Sequence, residues 1–390
     1  MRERSQMLTV ASTALFLSVL VWFNYSAVLP LIVEDWGLSG VRAGVIFGAF
    51  QAGYLLAIFP LGAAADRYSP RWVIAVGASI TGLASLAFAI FARGFATGTA
   101  FRFFAGMGMA GVYVPGMRFV TDWYPKEARG RAMGLYVGMF SLSSGLSFLV
   151  SSAVATAVDW QTAIAATSVG ALAVGPLVLG FGRDSPTAKR DGGTGLNLSV
   201  LRNGPYLAAV GVYSWHNWEL FGIRNWIIAF LLSTPAIAAT AAPAATAGTL
   251  AGVMIMLGGV GNVVGGWLSD RWGRLQTVGL ALAVSGFISA ILGEIGHFPL
   301  PAFVAIVLVY GVFLTMDSAP TSTAITELVA DERVGTALSI QSLVGFSTTV
   351  VSPVVFGVAL DEAGYPVAFR TLAVGAAIAL LCLAALRRAT

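Results

Sequence analysis

The feature that most constrains this chain is a succession of long apolar runs, each of about 20 to 30 residues, separated by short polar breaks. About 20 consecutive apolar residues span a hydrocarbon core as an α-helix, and in that core only helices and closed barrels satisfy their own backbone hydrogen bonds. The runs are continuous instead of alternating, which excludes a membrane barrel. Read against prolines, glycines and charges, they predict helices near residues 9–33, 41–65, 72–92, 98–120, 132–156 and 161–181, then 204–233, 247–269, 275–295, 300–325, 334–360 and 366–387. The expected fold class is an all-α membrane protein with twelve transmembrane helices. With 57% of the 390 residues hydrophobic and 10% charged, little chain is left for a soluble domain. The mean hydropathy of +0.83 fits the same reading. The 46 glycines suit helices whose backbones approach closely.

The net charge of +4 is not a nucleic-acid signal here, because the charges sit at the ends of apolar runs. Arg67, Arg71, Lys126, Arg129 and Arg131 follow even-numbered runs in the first half, and Arg271, Arg274 and Arg333 do so in the second. Arg2, Arg4, Arg387 and Arg388 join them from the termini, and the opposite side has few such residues. The positive-inside rule then places both termini and the central polar segment in the cytoplasm, in an inner or plasma membrane. The first run is followed by further spans and reads as a helix, not a cleavable signal. Residues 1–182 and 204–390 form two halves joined by a cytoplasmic linker at 183–203. Cys382 is the one cysteine, and His216 and His297 lie far apart, so no metal site and no cofactor are expected. The expected partners are a small molecule, protons and membrane lipid, with no nucleic acid.

An internal repeat ties the halves together. Gly62, Asp66 and Arg67 recur as Gly266, Asp270 and Arg271, with the two acids 204 residues apart. Pro115, Thr121, Asp122, Glu127, Gly130 and Ala132 recur 205 residues later as Pro320, Thr326, Glu327, Glu332, Gly335 and Ala337. Two halves related by an axis along the membrane normal form a transporter architecture.

The loop from Gly62 through Asp66-Arg67 to Arg71, and its echo from Gly266 through Asp270-Arg271 to Arg274, resemble the signature loops of the major facilitator superfamily. The likeness covers nearly the whole chain and implies two pseudo-symmetric six-helix bundles. It also implies that Gly62, Asp66, Arg67, Arg71 and Asp122, with Gly266, Asp270, Arg271, Arg274 and Glu327, form a conformational latch. Physically, a carboxylate suits a helix N-terminus and the arginines suit acids at other helix ends; anchoring of the loops is the plainer alternative. The fourth run, from Arg102 through Gly106 to Ala110, resembles a motif of proton-coupled members, with Ala105 where the family has glutamine. Arg102, Gly106 and Tyr113 share a helix face, so Arg102 and Tyr113 either look into a cavity or Arg102 snorkels to the headgroups. The fifth run lacks the proline of the antiporter motif, which points away from an antiporter.

The seventh run, Tyr213 to Trp226, places ionisable groups at membrane depth, where they are costly and face a wet cavity or a partner. His216 and Glu219 share a face; Asn217, Leu220 and Arg224 share another. Glu219 is a proton-carrier candidate, since burial and a neighbouring cation act on a carboxyl in opposite senses. His216 can relay, or the two can simply tighten packing. Asp317 in the tenth run either titrates or neutralises an arginine. Arg224 carries a fixed fork of donors suited to an oxyanion or to an acidic side chain. Arg118 is expected to pair with Asp122, four residues on. Asn24, Tyr25, Gln51 and Tyr54, with Asn262 and Gln341, can add hydrogen bonds to a ligand or between helices.

These readings point to a secondary transporter working by alternating access, with no nucleotide-binding loop and no clustered nucleophile, base or metal set of an enzyme. Proton-coupled uptake of a small organic anion is the expectation. Arg224 and Arg102 would hold the anion, and Glu219, Asp317 and His216 would carry protons. A drug or metabolite exporter and, more remotely, a non-transporting membrane sensor are the alternatives.

Overall fold

The computed structural model describes residues 2–186, 198–330 and 333–389. The described residues fold into helices and connecting turns: α1 (Arg2–Trp36), α2 (Gly40–Arg67), α3 (Pro70–Phe91), α4 (Phe95–Trp123), α5 (Lys126–Ala157), α6 (Trp160–Leu172) and α7 (Val174–Phe181) come first. They are followed by α8 (Gly204–Ser233), α9 (Pro235–Ala238), α10 (Pro243–Trp272), α11 (Arg274–Leu292), α12 (Leu300–Phe313), α13 (Ser318–Glu327) and α14 (Val334–Ala389). Among these, nine stretches are long and apolar enough to cross a membrane, and the last, Thr336–Ala389, supplies two spans because the helix breaks at Gly364. Gly364 has φ +75°, a backbone conformation open to glycine, and Pro366 follows it. The two spans whose apolarity falls short are α4 and α8, which carry the buried charges described below, and with them the count is twelve. Leu56, Leu83, Phe104, Val263, Phe287 and Leu381 are among the large apolar side chains left exposed, as lipid-facing surfaces require.

Several boundaries differ from the expected ones. Helix α1 starts at Arg2 instead of residue 9, and α5 at Lys126 instead of 132. A polar turn can continue a helix beyond the hydrocarbon core, so hydropathy marks the core and not the helix end. The sixth span is two helices meeting at Ala173, and the tenth is broken between Phe313 and Ser318. Of the expected linker 183–203, residues 187–197 lie outside the described residues, as does Glu332 of the repeat.

The chain divides into two compact units, residues 1–37 with 49–194, and residues 38–48 with 195–390. The first turns of α2 belong with the second unit because they lie on α14. The Asp361 carboxylate accepts from the backbone N–H groups of Gly40 (2.7 Å) and Val41 (3.0 Å), the otherwise open donors of a helix start.

In the first unit α1 packs against α4, α5 and α6, and α3 against α4 and α6. The approach of α2 to α4 is close enough that a Cβ on Gly106 would lie 1.9 Å from the Phe50 carbonyl oxygen, so this position admits only glycine. Ser143 and Ser147 of α5 donate to the α1 carbonyls of Phe16 (2.5 Å) and Leu20 (2.6 Å). In the second unit Thr348 and Ser352 of α14, 205 residues further on, donate to the α8 carbonyls of Ser214 (2.8 Å) and Trp218 (2.5 Å). The repeat therefore extends to a pair of hydroxyls, four residues apart, that fastens two helices in each unit. Outside the membrane-spanning segments, Asp159 caps α6 by accepting from the Thr162 N–H at 2.6 Å, and that hydrogen bond holds its carboxyl below the usual carboxylate range.

Candidate functional site

Helix α8 lies along α14 and also meets α10 and α13, so its middle is enclosed on most sides and has no purely lipid-facing stripe. That is why polar side chains occupy both faces there: His216, Asn217, Glu219 and Arg224 are all buried. Glu219 has no accessible surface and accepts three hydrogen bonds from hydroxyls. Ser289 Oγ lies at 2.7 Å and Ser285 Oγ at 3.0 Å, both from α11, and the Tyr310 hydroxyl of α12 at 3.2 Å. Ser289 and Tyr310 also contact each other at 2.7 Å. Among the described residues Glu219 makes no ion pair.

One turn earlier on α8, His216 Nδ1 lies 2.9 Å from Asp317 Oδ1, and its Nε2 lies 3.0 Å from Ser318 Oγ. Asp317 is 1% exposed, and no hydrogen bond of regular geometry completes its carboxylate among the described residues. Its position follows from the break in the tenth span. Pro320 has no N–H for the Met316 carbonyl and its ring crowds that oxygen, so the helix cannot run straight through. The chain instead tightens, with Met316 N–H bonded to the Phe313 carbonyl and Ser318 N–H to that of Thr315. Asp317 ends at the N-cap position, immediately before α13. Helix α10 closes on the break: a Cβ on Gly265 would stand 1.9 Å from the Met316 carbonyl oxygen, and Thr315 Oγ1 donates to the Gly258 carbonyl at 2.6 Å. A discontinuous span beside buried titratable groups is the construction transporters use for ion and substrate sites.

The first unit holds a second buried polar centre, built around a cation. Arg102 of α4 is 2% exposed. It donates to the α1 carbonyls of Val21 and Trp22, each at 3.0 Å, and to Asn24 Oδ1 at 3.3 Å, with its guanidinium carbon 4.4 Å from the Phe50 ring centre and 5.5 Å from that of Tyr25. Asn24 in turn donates to Thr167 Oγ1 at 2.9 Å and Ser85 Oγ at 3.3 Å. The structure thus turns Arg102 onto α1, and neither to the headgroups nor to open space. Ser85 and Ser289 stand 204 residues apart, the spacing of the duplicated acids, so the two centres occupy related places in the repeat, one built on a guanidinium and the other on a carboxyl.

The remaining candidates are distributed as follows. Gln51 is 1% exposed and neither of its amide atoms is bonded among the described residues, with Tyr54 three residues on in the same helix. Tyr113 stacks on Tyr136. Asn217 donates back to the Tyr213 carbonyl at 2.9 Å, and Arg224 lies with its guanidinium carbon 5.8 Å from the Phe221 ring centre. Gln341 is buried and reaches Ser322 at 3.5 Å, while Asn262 is half-buried.

At the duplicated loops the two units pair their charges differently. Arg118 lies 3.1 Å from Asp122 and 3.4 Å from Asp66. Arg71 lies 3.5 Å from Asp184 and donates to the Gly182 carbonyl at 2.7 Å. In the second unit Arg274, the counterpart of Arg71, grips Glu327 with two hydrogen bonds of 2.7 and 2.6 Å and lies 3.6 Å from Asp270. The counterpart of Arg118 is Thr323, so the second unit routes both acids to Arg274. Arg67 is exposed, Arg271 stacks on Trp267 at 4.1 Å, a Cβ on Gly62 would first meet Val114 at 4.0 Å, and one on Gly266 would meet nothing within 4 Å.

The sequence reading missed Ser285, Ser289 and Tyr310, which hold Glu219, and Thr167 and Ser85, which hold Asn24. The signal for the two serines was present: they lie four apart on one face of an otherwise apolar run.

Comparison with known proteins gives a consistent picture. The family model for the Major Facilitator Superfamily matches residues 11–240 and 220–390. The chain is 25% identical over 361 residues to the hexuronate transporter of Bacillus subtilis, covering 87% of this chain and 84% of that protein. It is 26% identical over 391 residues to the "Probable sulfoacetate transporter SauU" of Cupriavidus necator, covering 93% and 89%. Among solved structures, the inward-facing, unoccupied form of a bacterial homologue of the human lysosomal transporter Spinster matches with a TM-score of 0.81 at 14% identity, over 99% of this chain and 97% of that one. The nucleoside transporter NupG matches with a TM-score of 0.78 at 12% identity, over 98% and 99%. At these identities the structures speak for the fold.

Proposed function

The chain belongs to the Major Facilitator Superfamily and is a secondary transporter, and we propose that it takes up a small organic anion together with protons by alternating access. The observation that carries this reading is the buried acid centre of the second unit. Glu219 is out of water, held by three hydroxyls and not by a cation, next to a His216–Asp317 pair at a helix break. A carboxyl so placed can accept and release a proton without dismantling a salt bridge, and Tyr310 and Ser289 link it to neighbouring hydroxyls. His216, one helical turn away, bridges Asp317 and Ser318 through its two ring nitrogens and is assigned as the relay.

Arg224 is the cation assigned to the anion, since guanidinium forks match carboxylates and sulfonates. Gln51, whose buried amide has no partner among the described residues, is assigned to substrate hydrogen bonding together with Tyr54, Asn217, Asn262 and Gln341. Arg102 with Asn24 and Tyr25 fastens α4 to α1 within the first unit. The charged loops of both units act as the latch between conformations. Two relatives named for hexuronate and sulfoacetate support the anion class. The cationic loops support cytoplasmic termini in an inner or plasma membrane.

The test is uptake by purified protein in liposomes, screening small carboxylates and sulfonates with and without an inward proton gradient. Gradient-stimulated uptake of one anion is the expected result. Absence of anion flux with transport of lipophilic cations would replace this reading by an exporter, and ligand binding without any flux would replace it by a sensor.

A further inference from the structure

A groove of about 440 Å³ runs between the end of α10, the start of α11 and the last turns of α14, all within the second unit and sharing no lining residue with the buried acid centre. Its floor is apolar, formed by Leu280, Leu380 and Leu383 with Gly279, and its mouth carries Trp272, Gln276 and Arg387. No acid lines it. Arg387 donates through Nη2 to the Leu275 carbonyl at 2.9 Å, which lays the guanidinium across α11 and leaves its other donors at the mouth. Gly279 leaves room for it: a Cβ there would stand 3.4 Å from Arg387 Nη2 and 3.3 Å from Leu383. Arg271 and Arg388 are exposed at the same end of these helices, and Trp272 is 53% exposed, as an interfacial indole is. The nearest acid of α10, Asp270, is engaged with Arg274 at 3.6 Å. Deeper in the membrane, exposed Leu381, Val374 and Phe287 continue the apolar surface on α14 and α11.

We propose that this groove binds one anionic phospholipid, its phosphate at Arg387, Gln276 and Trp272 and an acyl chain along Leu280, Leu380 and Leu383. The charge at the mouth and the hydrocarbon floor match the two ends of such a molecule, and basic pockets between helices at the membrane surface take anionic headgroups. A zwitterionic lipid would bring a cationic group against Arg387, Arg388 and Arg271.

The experiment titrates detergent-purified full-length protein with phosphatidylglycerol, phosphatidylcholine or inorganic phosphate and follows thermal stabilisation, with lipids retained counted by native mass spectrometry. Saturable stabilisation by phosphatidylglycerol with one lipid retained is expected, and Arg387→Gln should raise the half-saturating concentration about fivefold, as loss of one cation near an anionic headgroup implies. Arg387→Lys should recover most of it. Ala384→Phe, at an exposed position that lines the groove, should block binding without touching the charge. Equal stabilisation by phosphatidylcholine or by inorganic phosphate would overturn the proposal. So would phosphatidylglycerol binding unchanged in both Arg387→Gln and Ala384→Phe. Should Arg387→Gln not fold, the outcome with Ala384→Phe decides alone.

Discussion

Two neighbouring glycines in α10 offer a stability test of the packing that positions the acid centre. An alanine Cβ at Gly265 would lie 1.9 Å from the Met316 carbonyl oxygen and 2.8 Å from its carbon, whereas at Gly266 it would meet nothing within 4 Å. Both substitutions gain the same helix preference, about 1 kcal/mol for alanine over glycine. Only Gly265→Ala must push a backbone carbonyl back, from 1.9 Å toward the 3.0 Å below which real Cβ contacts essentially do not occur. That carbonyl belongs to the break, which cannot move without separating α10 from Met316, the residue before Asp317. Overpacking of a close-packed interior costs about 1–3 kcal/mol, so Gly265→Ala should be less stable than Gly266→Ala by about that amount. Tryptophan fluorescence during thermal or chemical unfolding in detergent reads the difference, and uptake should fall in Gly265→Ala through displacement of Asp317. Equal stability of the two variants, or greater stability of Gly265→Ala, would refute the close approach.

Tyr310→Phe removes one donor to Glu219 and the contact to Ser289, so it should cost about 1–3 kcal/mol and alter the pH profile of uptake; an unchanged profile and stability would mean that the hydroxyl is idle. Ser147→Ala and Ser352→Ala each delete one helix-fastening hydroxyl and should each cost about 0.6 kcal/mol, adding in the double variant because they lie in different units; a strongly non-additive result contradicts independent fastening. Asp159 has a carboxyl held below its ordinary range in the folded protein, so its contribution is present above the unfolded-state value and is lost as pH falls through the folded one. The gap in melting temperature between the native chain and Asp159→Ala should therefore be present at pH 7 and close in acid, and a gap that persists when both chains are measured well below the carboxyl range would show that the cap acts otherwise.

The division into spans was legible because continuous apolar runs leave few alternatives in a membrane, and duplicated charged loops exposed the repeat. What hydropathy did not carry was the break in the tenth span. Residues 300–325 read as one run, and only Asp317 followed by Pro320 hints that the helix stops and restarts. The surroundings of Glu219 were hidden for a related reason: serines count as near-neutral in a hydropathy profile, and their role emerges only when α11 sets Ser285 and Ser289 against α8. Arg102 shows the limit most clearly. Its helix face was readable, but two of its partners are main-chain carbonyls of α1, which no sequence pattern marks. The difference between Arg71 and Arg274 was half legible: at the 205-residue offset Arg118 corresponds to Thr323, so the missing cation shows in the repeat, but the turn of both acids to Arg274 shows only in the fold.

The central claim, that Glu219 carries the coupled proton, is tested most directly by Glu219→Gln in liposomes. The account predicts that exchange of the anion across the membrane persists while stimulation of uptake by an inward proton gradient disappears, because the amide keeps hydrogen-bonding contacts but cannot titrate. Gradient-stimulated uptake at the native rate and with the native pH dependence would contradict it.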